Sequence, residues 1–535
     1  MSRLRRAIDR LGPTVRSAVH LRPAQLLAFA RQRQAGPART PAQSRAPGCD
    51  ALAIPEGLAG PSPEGALDDD GAVRLVGHAG HDPLRFGWDA GDDPLWAYTL
   101  HYHGWLTAPG VDVELGRATI LDWIEEHRAG VGWEPYPTSL RLLHWIGWLS
   151  RHGGSLHAAQ QEIVLASMSA QLQHLVQHAE VHIDGNHLWT NAVAIAATCL
   201  ALDGPVPSRL RDGARARLLA IVDDQLAADG VHGERTPSYH CLLAEQLAVV
   251  AALAEPRLPG LADPLRIAVR RMRDATAAFT HPDGDVALWG DSQRGAPVTP
   301  RRLFARDGSA MPTGHATAAA SGFARRAWGR FTLLFNQGGV GLPYQVGHIH
   351  GDCLSIELSI DDTRVLVDAG VGTYVEGEDR RYCRSTAAHN TVTVDDRDQH
   401  ELWKSHRIGG RARLGPVEYG DDRLCGEVTG FRSRTTHRRE LRRVDDAIVV
   451  TDTLSGARSR GVVRYFVPAG LRVRLGDDGA VVFGPRGQTI ALTMRGATLR
   501  STEAPGWTAM GTAAPRTCLS AEIGEQPVVM TIRAR

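Results

Sequence analysis

The chain has 535 residues, 43% hydrophobic and 22% charged, which excludes a mainly disordered polymer and predicts a globular protein of several domains. Sixty Lys+Arg against 59 Asp+Glu leave a net charge of +1, so no whole-molecule field draws it to nucleic acid or an anionic membrane. Seven widely spaced cysteines without a CxxC read as buried free thiols, and no apolar run reaches the roughly 18 residues of a membrane span.

Residues 1–45 are Arg- and Ala-rich and loosely helical, with no continuous apolar core of a secretory leader. Residues 46–95 are dense in Gly, Pro and Asp and read as an irregular connector. From 96 to about 315 the apolar period is helical. The one-face spacing is clear in Tyr239–Ala254, with Pro237 just before it, and recurs in Ser139–Leu149 and Gln171–His178. Asn186–Leu202 is an apolar helix whose polar residues gather at its start.

After about 322 the period becomes two. Leu354, Ile356, Leu358 and Ile360 alternate with Ser355, Glu357 and Ser359, which predicts a half-buried strand. A turn at 361–363 leads to a second strand over Arg364–Asp368. Further strands are expected at Thr391–Val394, Ala447–Thr451 and Val462–Val467. The expected class is α+β and multidomain: a segment and connector over 1–95, a helical domain over 96–320 and an antiparallel sandwich over 321–535.

Familiar motifs are missing. His400–Lys404 is not HExxH, Gly370-Val371-Gly372 is no dinucleotide fingerprint, and neither a Walker A nor a GxSxG occurs. Four polar constellations remain. In Gly185–Asn191 (GNHLWTN), His187 and Asn191 are four apart and share a helix face; helix capping by Asn186 is the alternative to chemistry. In Gly233–His240 (GERTPSYH) a polar loop holding Glu234 delivers Tyr239 and His240 to a helix N-terminus; a core tyrosine with a capping serine is the alternative. His348 and His350 in HIHGD point the same way from extended chain, and Asp368 and His389 add ligand types suited to zinc. Periodicity alone does not assemble that set: a hairpin centred on Asp362 puts Asp368 opposite residue 356, about 20 Å from His350 along the strand. The chain before Leu354 must therefore fold back. The basic run Arg432–Arg443 reads as a solvated strand face beside acidic neighbours.

Taken in order, HYHGWL, WEPYPTSLRLLHWI, GNHLWTN, ERTPSYH, HIHGDCLSIELSIDDTRVLVDAGVGTY and RRYCRSTAAHNTVTVDDRDQ resemble the heparinase II/III-like polysaccharide lyases and their alginate-lyase relatives. The resemblance implies an α/α toroid followed by a β-sandwich, and β-elimination on a uronic-acid-containing polysaccharide. It implies that Asn186 and His187 neutralise the uronate carboxylate, that Tyr239 transfers protons and that His348 is an alternative base. It implies zinc on His350, Asp368 and His389, with Asn191, Glu234, His240 and Arg384 as substrate contacts. Relatives often carry Glu before the Asn of NHxxxN, where this chain has Thr190. The relatives' usual setting is the cell envelope or periplasm, a location for which no leader is visible in this sequence.

Two other readings compete. A glycoside hydrolase would need two carboxylates about 5–10 Å apart, for which Glu234, Asp184 and Asp352 are the candidates. A non-catalytic glycan-binding protein of exopolysaccharide metabolism would keep the scaffold without the chemistry.

Overall fold

The computed structural model describes residues 12–35, 49–68, 72–77, 80–89, 93–456 and 460–534. The basic stretch before residue 12 and the Pro-containing run 36–48 lie outside them. The chain forms two compact units: one of residues 22–226 and 242–271, the other of 1–21, 227–241 and 272–535. Segments 227–241 and 272–320 thus group with the sheet-rich C-terminal part, where a single sequence cut near 320 had been expected.

The first unit is helical. Its elements include Pro94–Tyr102, Val113–Glu126, Pro135–His152, Ala158–His178, Gly185–Ala201 and Pro205–Gln225. Their starts follow local rules. Asp93 and Asp112 accept from first-turn backbone N–H groups, and Pro94, Pro135 and Pro205 stand where a missing N–H costs nothing. Pro135–His152 is buried from Tyr136 to Ser150, and its neighbour Gly185–Ala201 is buried from Leu188 to Ala201. The connector crosses the first of these helices through two glycines: a Cβ on Gly60 would lie 2.7 Å from the Cα of Gly147. Every cysteine is free and buried. No helix among the described residues is long and apolar enough to cross a membrane.

The second unit carries antiparallel sheets. Five strands, Ala316–Ala318, Phe323–Trp328, Phe331–Asn336, Ser355–Ile360 and Thr363–Leu366, pair in sequence order. An eight-stranded sheet includes Thr436–Val444 beside Ala447–Ser455, and a four-stranded sheet includes Val392–Val394 beside Gly461–Val467. Ile356, Leu358, Leu424, Leu441, Ile448, Val463 and Ile532 share one apolar core across these sheets.

Strand Ser355–Ile360 departs from the half-buried expectation, since all six residues are buried. The polar positions are satisfied inside. Glu357 accepts from Leu288 N at 2.6 Å and pairs with His281 Nε2 at 2.8 Å, and Ser359 Oγ meets His281 Nδ1 at 2.7 Å. Alternation marked two chemically different faces, and a loop over 280–288 covers the polar one. The basic strand behaves as read. Arg438 pairs with Glu427 and Arg442 with Glu440 in partial exposure, while Arg439 turns inward to Asp452 at 2.8 Å.

Candidate active site

The sheet-rich unit places Tyr239 through a pinned loop. Arg235, in left-handed backbone (φ 55°), donates to Ser321 O at 2.6 Å, Gly339 O at 2.8 Å and Asn336 Oδ1 at 2.9 Å. Pro237 then opens the helix that presents Tyr239 in its first turn. The Tyr239 ring stacks on His348, centroids 4.2 Å apart and planes at 28°, and its hydroxyl lies 3.0 Å from that of Tyr374. Burial pushes the Tyr239 hydroxyl well above the usual tyrosine range. The Tyr374 bond offsets part of this, while Asp291 and Glu234 add to it. The phenol is therefore protonated at neutral pH.

His348 is held by Asp291, which is fully buried. His348 Nδ1 lies 2.7 Å from Asp291 Oδ2, and its Nε2 lies 3.8 Å from Glu234 Oε2. Asp291 also receives His350 Nε2 at 2.8 Å and both Nη atoms of Arg380. Burial alone would raise the Asp291 carboxyl, but Arg380 and the two imidazoles outweigh it and hold it well below the carboxylate range. Arg380 is anchored in turn by Ser405 O at 2.9 Å and lies over the Tyr374 ring. Asp291, His348 and His406 bring ligand atoms within 4.8 Å of one another. Among these groups the cationic partner is the Arg380 guanidinium, which also approaches His406 Nδ1 at 3.3 Å.

The residues of the expected zinc set meet only because the chain folds back at Leu354, which adopts φ 62°, with Ser355 N bonded to Asp352 O. His350 and His389 come to 5.5 Å between ring centroids. Both are buried, and His350 Nδ1 and His389 Nε2 have no hydrogen-bond partner. Two buried imidazole nitrogens without partners fit a metal taken up as nitrogen ligands. Asp368 sits differently from the expectation. Its Oδ1 accepts from His389 Nδ1 at 2.6 Å and from Ala369 N, and its Oδ2 accepts from Ser355 Oγ at 3.2 Å. It orients His389 and is not itself presented as a ligand, an outer-sphere arrangement common behind metal-bound histidine.

The helical unit builds a second polar cluster. Asp184 (φ 65°) accepts from Gly185 N at 2.8 Å and Gln225 Nε2 at 3.0 Å, fixing the start of helix Gly185–Ala201. Asn186 is buried, while the His187 side chain keeps 25% exposure. His187 Nδ1 lies 3.0 Å from Glu180 Oε1, and Tyr136 lies against the ring with centroids 4.4 Å apart. Asn191 accepts from Glu180 N at 2.7 Å and donates to Glu180 Oε2 at 3.2 Å and Ser139 Oγ at 3.0 Å. Thr190 donates to Gln246 Oε1. The carboxylate beside His187 comes from Glu180, ten residues upstream of Thr190.

Three expected substrate contacts have internal partners instead. His240 gives Nε2 to Met272 O at 2.8 Å and accepts from His232 N. Arg384 is buried and donates to Lys404 O, Ile349 O and Arg407 O. Asn191 is fully buried between Glu180 and Ser139. Glu234 stands 3.8 Å from His348. Asp291 and Glu180 lie in no recognisable sequence pattern, and Tyr374 and Arg380, although inside the segments that carry the resemblance, gain a role only from their contacts with Tyr239 and Asp291. Arg380 does stand four residues before Arg384 on helix Glu378–Arg384, a spacing that puts both on one face.

The fold is similar to those of solved heparinase and heparan sulfate lyase structures. A crystal structure of heparinase III is similar at TM-score 0.69 and 16% identity, covering 88% of this chain and 80% of that one. A second heparinase III is similar at TM-score 0.61 and 18% identity, with 84% and 80% covered. Heparan sulfate lyase HepC from Pedobacter heparinus is similar at TM-score 0.57 and 17% identity, with 87% and 80% covered. No curated protein matches the sequence. Residues 310–529 match the family described as Heparinase II/III-like, C-terminal, and this part of the chain is a domain of that family.

Proposed function

We propose that the protein is a polysaccharide lyase that cleaves a uronic-acid-containing polymer by β-elimination. In this reading the helical unit is an α/α toroid and the antiparallel sheets are a β-sandwich. The observation that carries the reading is the Tyr239–His348 stack, with Asp291 on the far nitrogen of the histidine.

A uronate C5 proton is weakly acidic because the electrons it leaves collect beside a carboxylate. Neutral or cationic donors on that carboxylate must come first. Asn186 and His187 take this role, the imidazole oriented by Glu180 through Nδ1. His348 Nε2 then removes the C5 proton. The electron pair forms the C4–C5 double bond, and the C4–O glycosidic bond breaks. The leaving oxygen takes the proton of the Tyr239 hydroxyl. Burial keeps Tyr239 protonated, which favours it as the acid and His348 as the base. The proton on His348 is exchanged with solvent and the phenolate is reprotonated after turnover, while Tyr374 steadies that oxygen.

His350 and His389 would hold zinc, with Asp368 behind His389; a bound divalent ion supplies fixed charge and braces the segment that carries His348. The hydrolase alternative loses support, since Asp184 and Asp352 are buried and accept from the backbone N–H groups of Gly185 and Gly290. The test is ultraviolet absorbance of an unsaturated uronate after incubation with alginate, hyaluronan, heparan sulfate and bacterial exopolysaccharides. Absorbance growing with one polymer supports the proposal. New reducing ends without absorbance would replace it with hydrolysis.

A further inference from the structure

We propose that Asp291 is a positioning residue that sets two histidine tautomers at once, making Nε2 the basic atom of His348 and Nδ1 the metal-facing atom of His350. The first half rests on the lyase reading; the second stands without it.

The argument begins from the hydrogen-bond inventory of a carboxylate, which when ionised only accepts. Asp291 Oδ2 faces His348 Nδ1 at 2.7 Å and Asp291 Oδ1 faces His350 Nε2 at 2.8 Å. Each of those nitrogens must therefore carry hydrogen. In a neutral imidazole the other nitrogen then holds the lone pair. For His348 that is Nε2, on the side of Glu234. For His350 it is Nδ1, the buried atom without a partner. Two histidines of one HIH segment thus turn opposite ring nitrogens to one shared carboxylate.

Two features hold Asp291 in register. Arg380 donates to both carboxylate oxygens, so the wholly buried carboxylate is clamped between the guanidinium on one side and the two imidazoles on the other. The backbone adds a second lock. Asp291 N donates to His348 O at 3.2 Å, and Gly290, at φ 57°, brings its Cα against the same carbonyl. A Cβ there would lie 2.7 Å from His348 O, so only glycine lets the strands of chain approach this closely. The same geometry disfavours a cation among Asp291, His348 and His406, because the guanidinium already meets both oxygens.

The experiment separates positioning from simple ion-pair stability. Asp291→Asn strands a buried guanidinium and can fail to fold, so the decisive variant is Asp291→Asn with Arg380→Met, which removes both charges. Circular dichroism and melting establish that it is folded. The expected result is a kcat lower by about 100-fold with KM within about threefold, and zinc affinity weaker by about 10–100-fold. Adding His348→Gln to that variant should lower kcat no further. A folded double variant with wild-type kcat and zinc affinity would overturn the proposal. If the wild-type protein yields no unsaturated product from any polymer, the lyase reading fails and the zinc arm decides alone, unchanged affinity being the overturning result. A wild-type protein that neither makes product nor binds zinc overturns both.

Discussion

His348 and His187 each give Nδ1 to a buried carboxylate, but the two carboxylates are satisfied by different means. Asp291 is matched by the Arg380 guanidinium, whereas Glu180 is met by the Asn191 amide and, among the described residues, pairs with no arginine. The first carboxylate orients a histidine that stacks on a protonated phenol. The second stands next to an imidazole that keeps 25% exposure. In the proposed mechanism one such pair serves proton removal and the other anion binding, and the neighbour that balances the carboxylate makes the difference.

The sharpest way to break that contrast is to remove the phenol. Tyr239→Phe should keep its stack on His348 and lower kcat by about 10²–10⁴-fold, measured as unsaturated product per enzyme. Retained activity would move the acid role to Tyr374. Stability separates the two carboxylates next. Asp291→Asn alone should cost about 3–5 kcal/mol in urea unfolding, because it leaves a buried guanidinium without its counter-charge. Glu180→Gln, which leaves no buried cation, should cost about 1–3 kcal/mol. Equal losses would erase the distinction.

Acid probes a third difference. His127, His144 and His174 in the helical unit are held by burial at about 4. Below about 6.5 the unfolded chain binds these protons and the folded one does not, so stability should fall as pH drops from 6.5 to 4. The slope is up to about 1.4 kcal/mol per pH unit for each histidine. Asp291, held well below the usual range, loses its contribution only in stronger acid. Melting temperatures across this window check the order. The smallest effect is kinetic: Glu180→Gln should raise KM about tenfold with kcat within a few-fold, because it loosens the carboxylate grip and leaves the base untouched.

Much of the fold was legible because local rules act over a few residues. The helix expected at Tyr239–Ala254 is Pro237–Ala254, that at Asn186–Leu202 is Gly185–Ala201, and the strand at Val462–Val467 is Gly461–Val467. The extrapolated hairpin register holds at Leu358 opposite Leu366, but next to the turn Ser359 pairs with Arg364 and Ile360 with Thr363, a shift of one taken up by an irregularity between Leu358 and Ser359. What failed was inference of burial from alternation, since Ser355, Glu357 and Ser359 are polar yet inside.

Periodicity, capping residues and proline placement determined by themselves where helices and strands lie, and the ordered motifs pointed to a lyase-like family. Only the tertiary structure decided that Asp291 meets His348 and His350, that Asp368 stands behind His389, and that Glu180 holds His187. The physical reason is separation along the chain. Asp291 lies 57 residues from His348 and 89 from Arg380, and hydrogen bonds over such distances leave no periodic trace in sequence.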